Sequence, residues 1–196
     1  STYKTLENYT LEIKKINNNC VVTISAETYI GVGYAFATLQ QLIEPNTEVI
    51  NNNTYRGGYV IKNLPIKIVD TPSTHRRLIM LDTGRQYFNT EAICEVLQKM
   101  AFNKINHFDW HISDDQSFPL DIGPITKIFS GKSTDPTFKN MRGAFEEDKI
   151  YTLNDIKTII KTAHNYGITV IPGVDTPGHF SSLMYGSKKA TKKIFN

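Results

Sequence analysis

The chain reads as an α/β protein in two parts: a small α+β unit over residues 1–75, then strands alternating with helices over 76–196. Three observations carry that reading. Three short apolar runs, Leu78–Leu81, the stretch ending at Asp109-Trp110-His111, and Ile168–Val174, each end in Asp together with Arg or His. Segments of helical period lie between them, and strand–helix–strand order means a parallel sheet. Ahead of Pro72 and Ser73 the texture differs, with several short alternating runs around one helix-length stretch.

Taken in order, Tyr9–Ile13 and Cys20–Ser25 alternate as strands, joined by the turn formers Asn17-Asn18-Asn19. Ile30–Ile43 is helix-length, with Ala35, Leu39 and Leu42 on one side, although Gly31 and Gly33 weaken its start. Asn46–Gly58 is polar and reads as loop; Tyr59–Ile61 and Ile66–Val69 read as two more strands. The boundary falls within Asp70–His75.

In the second part, Ala92, Ile93, Val96, Leu97 and Met100 recur at helical spacing, with Asn89 or Thr90 as N-cap. Thr152-Leu153-Asn154-Asp155 resembles a capping box, with Asp in the place of Glu. Ile156, Ile159, Ile160 and Ala163 then form an apolar face, and Gly167 stands where a helix end needs positive φ.

Composition narrows the function classes. With 22 basic and 19 acidic residues the net charge of +3 is too small to indicate nucleic acid. No apolar run approaches the roughly 18–20 residues of a membrane span. Cys20 and Cys94 say little about compartment; Cys94, on the apolar side of its helix, is expected as a buried thiol. The sequons Asn8-Tyr9-Thr10 and Asn52-Asn53-Thr54 are compatible with a secretory route.

The chemistry concentrates in Asp109-Trp110-His111-Ile112-Ser113-Asp114-Asp115-Gln116-Ser117-Phe118-Pro119. A strand's period of two puts Asp109 and His111 on one face, and Asp114 and Asp115 fall where the strand gives way to a loop. Polar groups at the C-terminal ends of parallel strands form active faces in α/β enzymes. The same arrangement recurs at Asp82-Thr83-Gly84-Arg85 and Asp175-Thr176-Pro177-Gly178-His179, so the three strand ends imply one shared site.

These runs, with Met100-Ala101-Phe102-Asn103-Lys104-Ile105-Asn106 between them, resemble glycoside hydrolase family 20, the β-N-acetylhexosaminidases, and above all their eukaryotic lysosomal and secreted branch. Order and spacing agree over residues 5–180. The resemblance implies that residues 1–75 are the family's N-terminal α+β domain. It implies that 76–196 hold the first three or so βα units of a (β/α)8 TIM barrel, an incomplete barrel. It implies retaining hydrolysis of terminal N-acetylglucosamine or N-acetylgalactosamine, with the sugar's own acetamido oxygen as nucleophile. Arg85 would donate hydrogen bonds to hydroxyls of the terminal sugar, and Asp114 would lie in the same wall. Asp175 and His179, with His111 in support, would belong to the network that orients and tunes the acid. The implied partner is a terminal N-acetyl-hexosamine of glycans. No cofactor or metal is called for, a lysosomal or secreted location follows, and a homo-oligomer is in keeping with the eukaryotic relatives, commonly dimers.

The departures are as informative. The family's catalytic pair is an adjacent Asp-Glu on the fourth barrel strand, and none of the 196 residues forms that pair. Glu146-Glu147-Asp148 reads as a solvated loop instead. Asp109 stands where relatives usually carry His, and Gly173 where they usually carry Glu. The last residues, Lys188–Asn196, are basic and unlike the family's next helix. A positioned general acid contributes ~10²–10⁴-fold to rate, so the isolated chain is expected to be inactive, and its open third strand unstable or associated. Two other classes stay open. One is a non-catalytic N-acetylglucosamine-binding relic on the same scaffold. The other is a metal-dependent hydrolase using Asp109, His111, Asp114 and His179.

Overall fold

The structure, a computed structural model, describes residues 6–17, 19–47, 49–51, 54–55, 57–121 and 149–184. The chain divides into two compact units, residues 1–75 with 102–104, and residues 76–101 with 105–196. The runs Glu146-Glu147-Asp148 and Lys188–Asn196 lie outside the described residues.

The first unit is built on β1 (Tyr9–Ile16), β2 (Asn19–Ala26) and β7 (Ile66–Asp70), an antiparallel sheet in the order β2-β1-β7. Alternation along β1 buries Tyr9, Leu11 and Ile13 against Ile30, Tyr34 and Ala35 of helix α1 (Tyr29–Leu42). The opposite face is polar. There Glu12 is paired with Lys14 and Lys67, whose hydrogen bonds and charges hold its carboxyl near a pKa of about 2. Thr28 caps α1, its hydroxyl accepting from the Gly31 amide at 3.2 Å. Gly31 is there for closeness. A Cβ on it would lie 2.7 Å from the Asn8 carbonyl oxygen and 2.9 Å from the Ala26 Cβ, so the helix can approach β1 and β2 only without a side chain. Lys104, with positive φ, also belongs to this unit and donates to Asp70 at 2.7 Å and to the Tyr9 hydroxyl at 2.9 Å.

The stretch expected as one loop is more ordered than its composition suggests. Within 46–58 and its flanks lie β3 (Glu44–Pro45), β4 (Val49–Asn51), β5 (Thr54–Tyr55) and β6 (Tyr59–Val60), paired as β3 with β6 and β4 with β5. Runs of two or three residues carry too little periodicity to be read from sequence.

The second unit holds β8 (Leu78–Asp82), β9 (His107–His111) and β10 (Thr169–Gly173), all parallel, with β9 in the middle. Helices α2 (Thr90–Phe102) and α3 (Leu153–Asn165) supply the crossovers; a four-residue helix, α4 (Ser181–Met184), follows β10. One face of β9 sends Phe108 and Trp110 into a core with Ile93, Leu97, Met100, Ile159 and Ala163. His107, Asp109 and His111 point the other way.

The helix signals are met locally. The Asn89 side chain accepts from the Ala92 amide at 2.8 Å, Thr152 and Asp155 form a reciprocal capping box, and Gly167 has φ +69°. Cys94, expected buried, is only half-buried, because its thiol lies at the edge of the helix pair, 3.6 Å from the Thr162 hydroxyl. Ile160 is 49% exposed: it borders an apolar groove of about 420 Å³ with Ile156, His164, Val170 and Pro172. No helix among the described residues is long and apolar enough to cross a membrane.

Candidate active site

Because β8, β9 and β10 run the same way, the loops leaving them meet at one end of the sheet. The first of these loops is fixed by its own sequence. Asp82, last residue of β8, accepts hydrogen bonds from the amides of Gly84 and Arg85 through Oδ1, both at 3.0 Å. Its Oδ2 takes the Arg85 guanidinium at Nη1, 2.6 Å away. Thr83 ties the loop to β9: its amide donates to the His111 carbonyl at 2.9 Å, and its hydroxyl accepts from the Trp110 indole, also at 2.9 Å. Gly84 packs so closely on the next loop that a Cβ would lie 3.0 Å from the Ser113 carbonyl carbon, and its own carbonyl accepts from the Ser117 hydroxyl at 2.6 Å. Arg85 therefore emerges from a turn held on every side.

Asp114 is the centre. Its side chain is 2% exposed yet carries a full shell of donors. Oδ1 accepts from the Asp115 amide at 2.7 Å and faces His179 Nδ1 at 3.3 Å; Oδ2 pairs with Arg85 Nη2 at 2.7 Å and faces His111 Nε2 at 3.3 Å. Burial by itself raises the Asp114 pKa. The Asp115 amide, the two histidines and Arg85 more than offset this and leave the carboxyl below its ordinary value.

The third loop is laced onto the second. The Asp175 amide donates to the Ser113 hydroxyl at 2.9 Å, the Ser181 amide to Asp115 Oδ1 at 3.1 Å, and the Ser182 hydroxyl to the Asp114 carbonyl at 2.6 Å. Between these ties His179 adopts φ +54°, a conformation that costs a non-glycine residue some strain and turns its ring toward Asp114. His179 Nδ1 is also 3.3 Å from Arg85 Nη2. One nitrogen cannot donate to Asp114 and accept from Arg85 at once. The carboxylate charge favours the tautomer with the proton on Nδ1, which leaves Nε2 as an acceptor.

Of the residues singled out from sequence, the structure brings Arg85, Asp114, His111 and His179 into one cluster. Asp175 is exposed and joins through its backbone, its carboxylate standing outside the Asp114 shell. Asp109 is likewise outside. Its Oδ1 lies 3.4 Å from where a Gly173 Cβ would be, so the two residues are neighbours across the β9–β10 ladder. Sequence reasoning placed Asp82 at one of the three strand ends without a task of its own, and gave no task to Thr83, Ser113, Ser117 or Ser182. For Asp82 the signal was present, an acid three residues before an arginine across a Thr-Gly turn.

The metal reading meets a physical obstacle. Asp82, His111 and Asp114, and separately Asp114, Asp115 and His179, are close enough to share an ion. However, the Arg85 guanidinium already bridges Asp82 and Asp114, so a cation in the first cluster would have to displace it. What the cluster offers is a fixed, charged donor fork beside a buried acceptor, which suits a neutral, hydroxyl-rich ligand.

A family model described as the glycosyl hydrolase family 20 catalytic domain matches residues 74–194, well over half of the chain. The chain is similar to β-hexosaminidase subunit B1 of Dictyostelium discoideum, 35% identical over 180 residues, which cover 92% of this chain and 28% of that protein. It is similar to the human β-hexosaminidase subunit beta, 34% identical over 185 residues, covering 93% of this chain and 28% of that one. Among solved structures it is similar to the chitobiase of Flavobacterium johnsoniae, with a TM-score of 0.71 and 26% identity, covering 92% of this chain and 23% of that one. This chain thus spans under a third of the length of each. The matched span contains the Arg85 turn, the Asp114 hub and the His179 loop, and on that match the chain belongs to glycosyl hydrolase family 20.

Proposed function

We propose that this chain forms the sugar-binding wall of a β-N-acetylhexosaminidase acting on terminal N-acetylglucosamine or N-acetylgalactosamine of glycans. In this reading residues 1–75 are the family's N-terminal domain and 76–196 the opening βα units of its TIM barrel, with a lysosomal or secreted location. The observation that carries it is the Arg85 guanidinium held between Asp82 and Asp114 at the C-terminal end of a parallel sheet, where barrel enzymes bind substrate.

Each residue then has a task. Arg85 spends one donor of each terminal nitrogen on a carboxylate and keeps the remaining N–H groups for the sugar's hydroxyls. Asp114 holds that fork and fixes the tautomer of His179. The free Nε2 of His179 is an acceptor suited to bonding a protonated carboxyl and so tuning an acid. His111 steadies Asp114 from the opposite side. The acid itself and the carboxylate that orients the acetamido group are the adjacent Asp-Glu pair absent from these 196 residues, so the chain by itself is expected to bind sugar without cleaving it.

A second reading, a non-catalytic N-acetylglucosamine-binding protein on the same scaffold, would use the same Arg85 fork. Saturation-transfer NMR of N-acetylglucosamine with the purified chain, together with a chromogenic N-acetylglucosaminide assay, tests both. Binding that is strongly weakened but still measurable in Arg85→Ala, without turnover, is expected. Absence of binding by the folded wild-type chain would overturn both readings, and turnover would show that the chain holds an acid of its own.

A further inference from the structure

The Arg85 side chain is 47% exposed, and an exposed arginine on a loop ordinarily samples many rotamers. Here it is gripped at both ends of its fork by carboxylates from two different strand ends. The Asp114 half of that grip is the buried hub already described. The Asp82 half is of another kind. One carboxylate makes three bonds to two residues: Oδ1 holds the backbone amides of Gly84 and Arg85, and Oδ2 holds Nη1 of the same arginine. Asp82 thus sets both where the Arg85 backbone turns and which way its guanidinium plane faces. A bond to Asp114 alone would leave the plane free to pivot about that one contact.

We propose that Asp82 is the positioning residue of Arg85: it locks the guanidinium plane so that the remaining N–H groups form a fixed fork for adjacent hydroxyls of a hexose ring. The ligand class rests on the reading under Proposed function; the lock itself does not. The Oδ1 and Oδ2 bonds make two tasks that a single variant separates. Asp82→Asn keeps a carbonyl oxygen for the two amides, so the turn survives. It replaces the carboxylate at Nη1 with an amide, so the charge-assisted bond to the fork is lost.

The experiment is ¹⁵N NMR of the Arg85 side chain in the whole 196-residue chain, read beside the Gly84 and Arg85 backbone amides. In the unmutated protein the Nη groups should rotate slowly and give separate signals. In Asp82→Asn they should average, while both backbone amides keep their positions. N-acetylglucosamine affinity should fall about tenfold in Asp82→Asn, and adding Asp82→Asn to Arg85→Ala should cost nothing more, because the two act as one unit. Freely averaging Nη signals in the unmutated chain would overturn the lock with no variant needed. Separate signals that persist in Asp82→Asn would overturn it as well, as would additive losses in the double variant. If the folded chain binds no sugar, the reading of the ligand fails, and the side-chain signals still decide the role of Asp82.

Discussion

The two three-stranded sheets of this protein use their polar residues in opposite ways. In the antiparallel sheet β2-β1-β7, successive strands point in opposite directions, so connections leave from both ends and charged groups are satisfied across the exposed face, as Glu12 is by Lys14 and Lys67. In the parallel sheet β10-β9-β8 every strand points the same way. The loops after Asp82, His111 and Gly173 therefore arrive at one end, and Arg85, Asp114 and His179 meet there. Strand direction, more than residue content, decides that the second unit gathers its polar groups into one cluster and that the first spreads them over a surface. On this contrast Glu12, on the exposed face of the first sheet, is expected to be dispensable and Asp114, at the meeting point of the second, is not.

The sharpest way to break that contrast is Asp114→Ala. It removes the acceptor shared by Arg85, His111, His179 and the Asp115 amide, and leaves the mostly buried His111 ring and the part-buried Asp115 amide without it. About 2–3 kcal/mol of stability should be lost, together with sugar binding, as read by urea denaturation and NMR titration. Gly31→Ala comes next. Helix propensity alone favours Ala by about 1 kcal/mol. The clash with Asn8 and Ala26 should reverse the sign and cost the first unit about 1–3 kcal/mol, visible as earlier loss of its amide protection.

Gly84→Ala carries the comparison into the site. The added methyl meets the backbone of Ser113 and should displace the Arg85 turn, weakening N-acetylglucosamine binding about tenfold while the denaturation midpoint moves less than for Asp114→Ala. Acid sharpens it further. Asp114, Asp70 and Asp155 all have lowered pKa values when folded, so they bind protons less readily folded than unfolded. Their contribution is complete above the unfolded carboxyl range of about 4 and is lost as pH falls through the folded values. A midpoint that is flat from neutrality to about pH 5 and drops below pH 4 is expected; a rise on acidification would contradict the pairing. The smallest effect is at Glu12. Although its pKa is about 2, its partners Lys14 and Lys67 are solvent-exposed lysines whose attraction water screens, and Glu12→Gln should leave the denaturation midpoint unchanged within error.

How much of this could be read beforehand differs by element. The Thr152 capping box, the Asn89 cap, Gly167 and the alternation of β1 and β9 were legible because each depends on residues within a few positions. The short pairings in 44–60 were not, since two or three residues bear no period. In the site, Arg85, Asp114, His111 and His179 were legible as strand-end residues. Asp175 looked equivalent to them but joins the cluster through its amide only, because the loop turns its side chain away between the ties to Ser113 and Ser182.

Local sequence therefore settled the elements, their caps and the polar clusters at three strand ends, since propensity, periodicity and capping act over one or two turns of chain. Tertiary structure settled which of those groups touch. Arg85 and His179 stand 94 residues apart, and their meeting depends on the register of three parallel strands. The same holds for the close approaches that require glycine at 31 and 84, and for Asp109 occupying the space beside Gly173. Such contacts are steric and electrostatic facts about separate segments, and they exist only once packing has brought those segments together.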